Sequence, residues 1–320
     1  MKKVGIIGAS GYTGHELCKL LSKHKKVDLC VVNSQSFPGK KIRHVYPDEK
    51  TDLQYTGLTM DEVNRKDLDV VFLAQPPGHA RVWVDALDES TKIVDLSADY
   101  RFADEETFRN VYGFDRGPKV ATYGLPELFR EKIKKAHLVA NPGCYATACI
   151  LAGLPIQKKA RYAVFDCKSG WSGAGRESAY AKNPGMLKEN LIAYKIARHR
   201  HKYEVEQFLD TPISFTPHVL PFFRGLMCTA HIFMKETVDA YSVYESFYRN
   251  EPFVSIGKDA PQIRETVQTN SCKIGGFETD ENGTLAVVSV LDNLQKGASG
   301  QAVQNMNLML GFSEREGLKT

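Results

Sequence analysis

Lys3-Val4-Gly5-Ile6-Ile7-Gly8-Ala9-Ser10-Gly11-Tyr12-Thr13-Gly14 runs from a short apolar strand into a glycine-rich turn, and His15 to Ser22 follows as an amphipathic helix. Gly8, Gly11 and Gly14 are spaced G-x-x-G-x-x-G, a variant of the dinucleotide fingerprint. Such glycines permit a tight turn, close backbone approach to a pyrophosphate, and close packing of helix on strand. The plain alternative is an ordinary glycine-rich turn between strand and helix. Its place directly between the two elements favours the nucleotide, with Ser10, Tyr12 and Thr13 as further cofactor contacts.

The next strand points to the kind of nucleotide. Val27 to Val32 ends in Asn33-Ser34-Gln35-Ser36, with Lys40, Lys41 and Arg43 close behind. A site for NAD usually ends this strand with an acidic residue that holds the ribose 2′-OH. None stands here. Ser34, Gln35 and Ser36, with cations nearby, suit a 2′-phosphate, so NADP(H) is the expected cofactor.

Apolar strands then alternate with helices. Asp69 to Ala74 ends at Gln75-Pro76-Pro77-Gly78, a helix spans Ala80 to Leu87, and Lys92 to Leu96 ends in Ser97-Ala98-Asp99-Tyr100-Arg101. His137 to Ala140 delivers the chain to Asn141. This alternation predicts an α/β, Rossmann-type doubly wound parallel sheet. In such a sheet ligands gather at the carboxyl ends of strands, where the glycine loop, Ser34, Pro76 and Ser97 fall. After Gly153 the texture changes. Tyr162 to Lys168, Ile213 to Phe215, Leu226 to Met234 and Thr284 to Leu291 read as strands of a mixed or antiparallel sheet, in an α+β domain for substrate and oligomerisation. The boundaries expected are 1–143 for the nucleotide domain, joined by a C-terminal segment of about 296–320, and 144–295 for the catalytic domain. Gly300 to Leu310 reads as an amphipathic helix.

Asn141-Pro142-Gly143-Cys144-Tyr145-Ala146-Thr147 puts a cysteine at a turn and aims it into the start of a helix. Only the thiolate is nucleophilic, and an open helix N-terminus is where a thiol pKa falls below about 8.5. Gly143 is expected to supply a backbone angle that other residues resist. The alternative is that Cys144 is one more small buried residue.

Composition narrows the class. At 320 residues, 25% of them charged and with a net charge of +4, the chain carries two cores and lacks the basic excess of a phosphate-dominated nucleic-acid binder. Seven cysteines (Cys18, Cys30, Cys144, Cys149, Cys167, Cys228, Cys272) without a C-x-x-C pair suggest reduced thiols of a cytoplasmic protein, with no disulfide frame and no metal site. The apolar run at the N-terminus breaks at Ser10, too short for a signal peptide, and no stretch approaches the roughly 20 apolar residues of a membrane span.

Two clusters stand out in the second half. Ser169-Gly170-Trp171-Ser172-Gly173-Ala174-Gly175-Arg176 is small and flexible and ends on an arginine suited to carboxylate or phosphate, or else is a surface loop. His199-Arg200-His201-Lys202 offers histidines fit for proton transfer beside a thiol, or else the solvated basic start of a helix. No third ligand sits at a telling spacing for a metal.

The Gly11-Tyr12-Thr13-Gly14 turn, Asn141 to Tyr145, Ser169 to Arg176, His199-Arg200-His201 and Asp292-Asn293-Leu294-Gln295-Lys296-Gly297-Ala298-Ser299-Gly300-Gln301-Ala302 occur in order. Together, over about residues 3 to 311, they resemble the N-acetyl-γ-glutamyl-phosphate reductases of arginine biosynthesis and their relatives acting on carrier-protein-linked substrates in lysine and arginine synthesis. Tyr203-Glu204-Val205-Glu206-Gln207 keeps only part of the Thr-Pro-Glu-Ile-Glu-Gln stretch of many acetyl-substrate enzymes.

The resemblance implies NADPH-dependent reduction of an acyl phosphate to a semialdehyde through a thioester on Cys144. His199, with His201 close behind, is then the acid/base. Arg101 and Arg176 hold phosphate or carboxylate groups, Asn141, Ser169 and Gly170 line the substrate, and Asn293 contacts nicotinamide. The departure at Tyr203 and the Leu308-Met309-Leu310-Gly311-Phe312 ending tilt the substrate towards α-aminoadipyl or glutamyl phosphate on a small acidic carrier protein. The basic set Lys195, Arg198, Arg200 and Lys202 suits steering of such a carrier and equally the attraction of a free phosphorylated substrate. Free N-acetyl-γ-glutamyl phosphate is the alternative. A homo-oligomer is expected, with no nucleic-acid or membrane partner. A non-catalytic NADP-binding regulator is the reading from another class.

Overall fold

A computed structural model describes residues Met1–Thr320. It divides into two compact units, one of residues Met1–Pro142 with Ala298–Leu318, the other of Gly143–Gly297 with the last two residues.

The first unit contains β1 (Lys2–Ile7), α1 (Tyr12–Leu21), β2 (Val27–Asn33), α2 (Met60–Asn64), β3 (Val70–Leu73), α3 (Ala80–Ala86), β4 (Lys92–Asp95), α4 (Glu105–Tyr112), β5 (Thr122–Tyr123), α5 (Pro126–Lys135) and β6 (Leu138–Ala140). Its six strands lie in the order β2-β1-β3-β4-β6-β5, and every neighbouring pair is parallel. Both faces are covered. Val4, Ile6, Phe72, Val94 and Val139 point into one core with Leu17 and Ile133, while Ile7, Val71, Leu73 and Ile93 point into another with Trp83 and Val84. Strands buried on both sides read as unbroken apolar runs, and that is why these segments are recognisable in the sequence. The order reverses at β1, between β2 and β3, so a crevice opens at the carboxyl ends of β1 and β3.

The second unit holds α6 (Cys144–Gly153), β7 (Ala160–Gly170), α7 (Ala179–Lys182), β8 (Ile192–Ala193), α8 (Arg200–Glu206), β9 (Ile213–Leu220), β10 (Leu226–Met234), α9 (Ala240–Tyr248), β11 (Val254–Ile256), β12 (Cys272–Thr279) and β13 (Thr284–Leu291). Its seven-stranded sheet runs β11-β12-β13-β10-β7-β9-β8 and is mixed, with β7–β9 and β11–β12 parallel. β10 alternates buried and more exposed positions, the pattern of a sheet with one covered face. On the covered face lies α6, whose residues from Tyr145 to Gly153 are all buried.

The chain then enters α10 (Gly300–Met309). Here the expectation of an amphipathic helix is corrected: every residue of α10 is buried. Its polar side chains are internal partners, with Asn305 donating to Gly124 and Asn141 and Asn307 facing His24 at 3.0 Å. β12, with Gly275 and Gly276 in it, has no apolar alternation to betray it and escaped the sequence reading.

Candidate active site

In the first unit the glycine loop is shaped by space. Gly8 has φ +88°, and a Cβ there would lie 2.4 Å from the carbonyl oxygen of Ala74 beyond β3. A Cβ on Gly14 would lie 2.3 Å from the Gly8 oxygen. The loop is therefore pressed into the crevice and leaves α1 with its N-terminus open towards it. Ser34 Oγ donates to Ser10 Oγ at 2.8 Å, and Tyr46 Oη donates to the Ser10 carbonyl, so the end of β2 is tied to the glycine loop. Asn33, in the place of the usual acid, accepts from Thr56 and Leu58. Gln35, Ser36, Lys40 and Arg43 are exposed, while Lys41 pairs with Asp52 at 2.8 Å. These residues fit a dinucleotide: a glycine cradle that any side chain would fill, and beside it hydroxyls and cations with no carboxylate at the end of β2.

Other predicted residues of this unit are engaged by their own fold. Ser97 donates its N–H to Asp95 and accepts from the Asp99 N–H. Burial pushes the Asp95 carboxyl up to about 6. Arg101 is buried, its guanidinium donating to the carbonyls of Asn141 and Leu96. Asn141 donates to the Ala298 carbonyl and accepts from Asn305. The sequence marks Arg101 and Asn141 for substrate; in the fold they bind the loops after β4 and β6 together.

In the second unit Cys144 is the first residue of α6 and half-buried. Gly143 before it has φ −71°, an angle open to any residue. The expected role for Gly143 is thus corrected. What matters is space, since a Cβ at Gly143 would lie 2.4 Å from His201 Nε2. From another side Gly297 closes on Cys144, where a Cβ would meet the Cys144 Cβ at 2.7 Å. The Gly143 N–H donates to the buried Glu204 carboxylate at 2.8 Å. Thiol, imidazole and carboxylate are thereby gathered by the start of α6 and the first turns of α8.

The two histidines are not equivalent. His199 is the N-cap of α8, its Nδ1 accepting from the His201 N–H at 3.1 Å. Burial, with the charges of Arg200 and Lys195 adding to it, holds its pKa down at about 3. A ring that stays neutral at working pH is a poor proton donor. The His201 ring instead lies against Gly143, the residue before Cys144, with Nε2 its nearest atom. Tyr145 stands edge-on to both rings, with centroids 5.8 Å away in each case, and donates its hydroxyl to the His218 carbonyl.

The Ser169–Arg176 segment is sewn to the turn after β9: Gly170, Trp171 and Ser172 donate to the carbonyls of Gly225, Phe222 and Phe223. A Cβ on Gly170 would lie 2.6 Å from the Phe223 oxygen, so this glycine too answers a close approach. Asn293 accepts from the Gly225 N–H and donates to Ser172 Oγ, with Ser169 buried close by. Arg224 pairs with the buried Asp292 at 3.1 Å, and Arg176 pairs with Glu177 at 3.0 Å. Sequence reading missed Glu204 and Gly297 as site residues. Glu204 was findable three residues after His201, on the same helix face.

Residues 3–136 match the NAD binding domain of semialdehyde dehydrogenases, and residues 144–293 match their dimerisation domain. An N-acetyl-gamma-glutamyl-phosphate reductase of Methanococcus maripaludis is 45% identical, covering 99% of this chain and 98% of its own. Those of Methanosarcina acetivorans and Archaeoglobus fulgidus are each 46% identical, also over 99% and 98%. The chain belongs to the N-acetyl-γ-glutamyl-phosphate reductase family. Its fold is also that of aspartate semialdehyde dehydrogenase II of Vibrio cholerae, with a TM-score of 0.74 at 17% identity over 97% of this chain and 98% of that one. The enzyme of Candida albicans, solved with NADP, gives 0.73 at 16% identity over 97% and 98%. As a member of this family of reductases the chain is a nicotinamide-dependent oxidoreductase, and no helix in it is long and apolar enough to cross a membrane.

Proposed function

We propose that this reductase converts N-acetyl-γ-glutamyl phosphate to the semialdehyde with NADPH, through a thioester on Cys144. The observation that carries the substrate is the set of relatives sharing this name over the whole chain at 45–46% identity. It outweighs the tilt towards a carrier-linked substrate. Tyr203, where many members have proline, is the fourth residue of α8. It lies at the end of the helix's first turn, where a proline removes at most one hydrogen bond, so the exchange says little about substrate. Of the basic set, Lys202 faces Glu206 at 3.5 Å, which lessens its pull on an acidic carrier.

Cys144 attacks the acyl carbonyl and phosphate leaves, which splits one difficult step into two. His201 is the favoured acid/base, because its ring lies against Gly143 while His199 is spent on the helix cap. When bound, the dinucleotide supplies the hydride that turns the thioester into a thiohemiacetal. The glycine cradle of Gly8, Gly11 and Gly14 would hold its pyrophosphate, and Ser10, Ser34, Gln35 and Ser36 its 2′-phosphate. His201 then manages the proton as Cys144 departs from the semialdehyde. Arg176 and Arg224, at the Ser169 loop and now paired with Glu177 and Asp292, are the cations assigned to the substrate's carboxylate and phosphate. A second copy of the chain covering the open face of the seven-stranded sheet is the expected partner, and the cytoplasm the expected location.

The test runs the reaction backwards: NADP reduction with phosphate and free N-acetylglutamate semialdehyde, compared with carrier-linked semialdehydes. Strong turnover of the free compound is expected. Turnover of carrier-linked substrate alone would overturn the assignment. Cys144→Ser should abolish turnover and leave NADPH affinity nearly unchanged; more than a few percent of the activity surviving would remove Cys144 from the nucleophile's role.

A further inference from the structure

Cys149, Cys167 and Cys228 come from three different elements and meet beneath α6. Cys167 on β7 and Cys228 on β10 are direct register partners on antiparallel strands. Cys149 descends from α6 between them, its Sγ 3.5 Å from that of Cys167 and 3.8 Å from that of Cys228. All three sulfurs lie within 4.8 Å of one another, and all three residues are fully buried. None of them takes part in the chemistry assigned above.

In a planar three-sulfur site with metal–sulfur bonds of about 2.3 Å the sulfurs stand about 4 Å apart. The two separations from Cys149, 3.5 and 3.8 Å, need adjustments of about half an ångström or less, and the third is no more than 4.8 Å. The donors are held by two paired strands and a buried helix, so the triangle is preformed. Zinc almost always takes four ligands, and this cluster offers three. Soft thiolates with low coordination number select Cu(I) among the biological metals.

We propose that Cys149, Cys167 and Cys228 form a trigonal thiolate site for a soft, monovalent metal ion, Cu(I). Each sulfur that ligates gives its proton to solvent, and no electron is transferred. Entry requires a transient opening of α6, so loading is slow compared with ordinary surface binding.

The experiment uses the full chain carrying Cys144→Ser and Cys30→Ser, so that the half-buried thiol at the start of α6 and the exposed thiol on β2 cannot compete. Reduced protein is incubated without oxygen with Cu(I) held by a chromophoric chelator of known affinity. Expected is one Cu(I) per chain, an X-ray absorption spectrum with three sulfurs at about 2.3 Å, and a loss of affinity of a hundredfold or more on adding Cys149→Ala or Cys228→Ala. Failure to withdraw Cu(I) from the chelator overturns the site. So does an affinity unchanged in those variants, or a shell of two sulfurs or of nitrogen in the protein carrying only Cys144→Ser and Cys30→Ser. That last measurement needs no cluster variant to fold, and none of the readouts depends on the reductase activity.

Discussion

His199 and His201 are two residues apart, yet the fold gives them different chemistry. The His199 ring is used as an acceptor for the His201 N–H, and burial holds its pKa at about 3. The His201 ring is packed on the glycine before Cys144. Replacing His201 by Asn should therefore lower kcat by about a hundredfold or more, the usual worth of a positioned acid/base. Asn at 199 still accepts as a helix cap, so His199→Asn should cost less than about tenfold. Steady-state kinetics decides, and a greater loss at 199 than at 201 would reverse the assignment. The same depressed pKa acts on stability. Between about pH 3 and the ordinary histidine value of 6.5 the unfolded chain binds a proton at this site that the folded chain refuses. His199 thus favours the fold above pH 6.5 and loses that contribution as pH falls towards 3. Denaturant unfolding should show stability rising with pH across this window, with a shallower rise in His199→Asn. At the same scale Ser34→Asp puts a carboxylate where Ser34 now reaches Ser10, and it should repel a 2′-phosphate and shift preference towards NADH. Unchanged selectivity, measured as the ratio of kcat/KM for the two cofactors, would mean that the 2′-phosphate lies elsewhere.

At the scale of elements, the parts of the site readable in advance are those set by short-range geometry. The strand–glycine–helix unit and the turn into α6 are each one short unbroken run of sequence, and local spacing decides them. The reason for Gly143 was not readable, because His201 is distant in sequence and no residue near Gly143 shows that its side of the helix start is occupied. Gly297 is the same case, its constraint being the Cys144 Cβ. Asn293 was legible as part of a motif, whereas its partners, Ser172 and the Gly225 N–H, follow only from the fold that brings β7, β10 and β13 together. α10 was misread because its polar residues answer to buried partners and not to solvent. From these contacts a prediction follows for α6: Gly143→Ala must push the His201 ring away, since 2.4 Å is far inside van der Waals contact. The backbone angle there suits alanine, so the fold should survive with a Tm within several degrees. Turnover should fall by about a hundredfold from the displaced imidazole. Wild-type activity in a normally folded Gly143→Ala protein would show that the ring's position against α6 is immaterial.

On the scale of the whole molecule, the first unit is discontinuous: its sheet is complete by residue 140, yet residues 298–318 belong to it. α10 packs on α1 and α5. Ser299 donates to the Thr13 carbonyl of the glycine turn, and Asn305 joins Gly124 to Asn141. Val303, Met306, Leu308 and Met309 are at most 4% exposed in that core. Burying four such side chains contributes about 1.5–3 kcal/mol each. Their sum is comparable with the whole stability of a typical domain, about 5–15 kcal/mol. The dinucleotide site should therefore depend on a segment that contributes nothing to the fingerprint itself. A chain ending at residue 297 is expected to lose NADPH binding, as followed by nicotinamide fluorescence, and to give a broad, weakly cooperative thermal transition. Supplying α10 as a separate peptide should restore part of the binding, because its partners on α1 and α5 remain in the truncated chain. If the truncated protein bound NADPH with unaltered affinity, residues 1–142 would be a self-sufficient nucleotide domain and α10 only its cover.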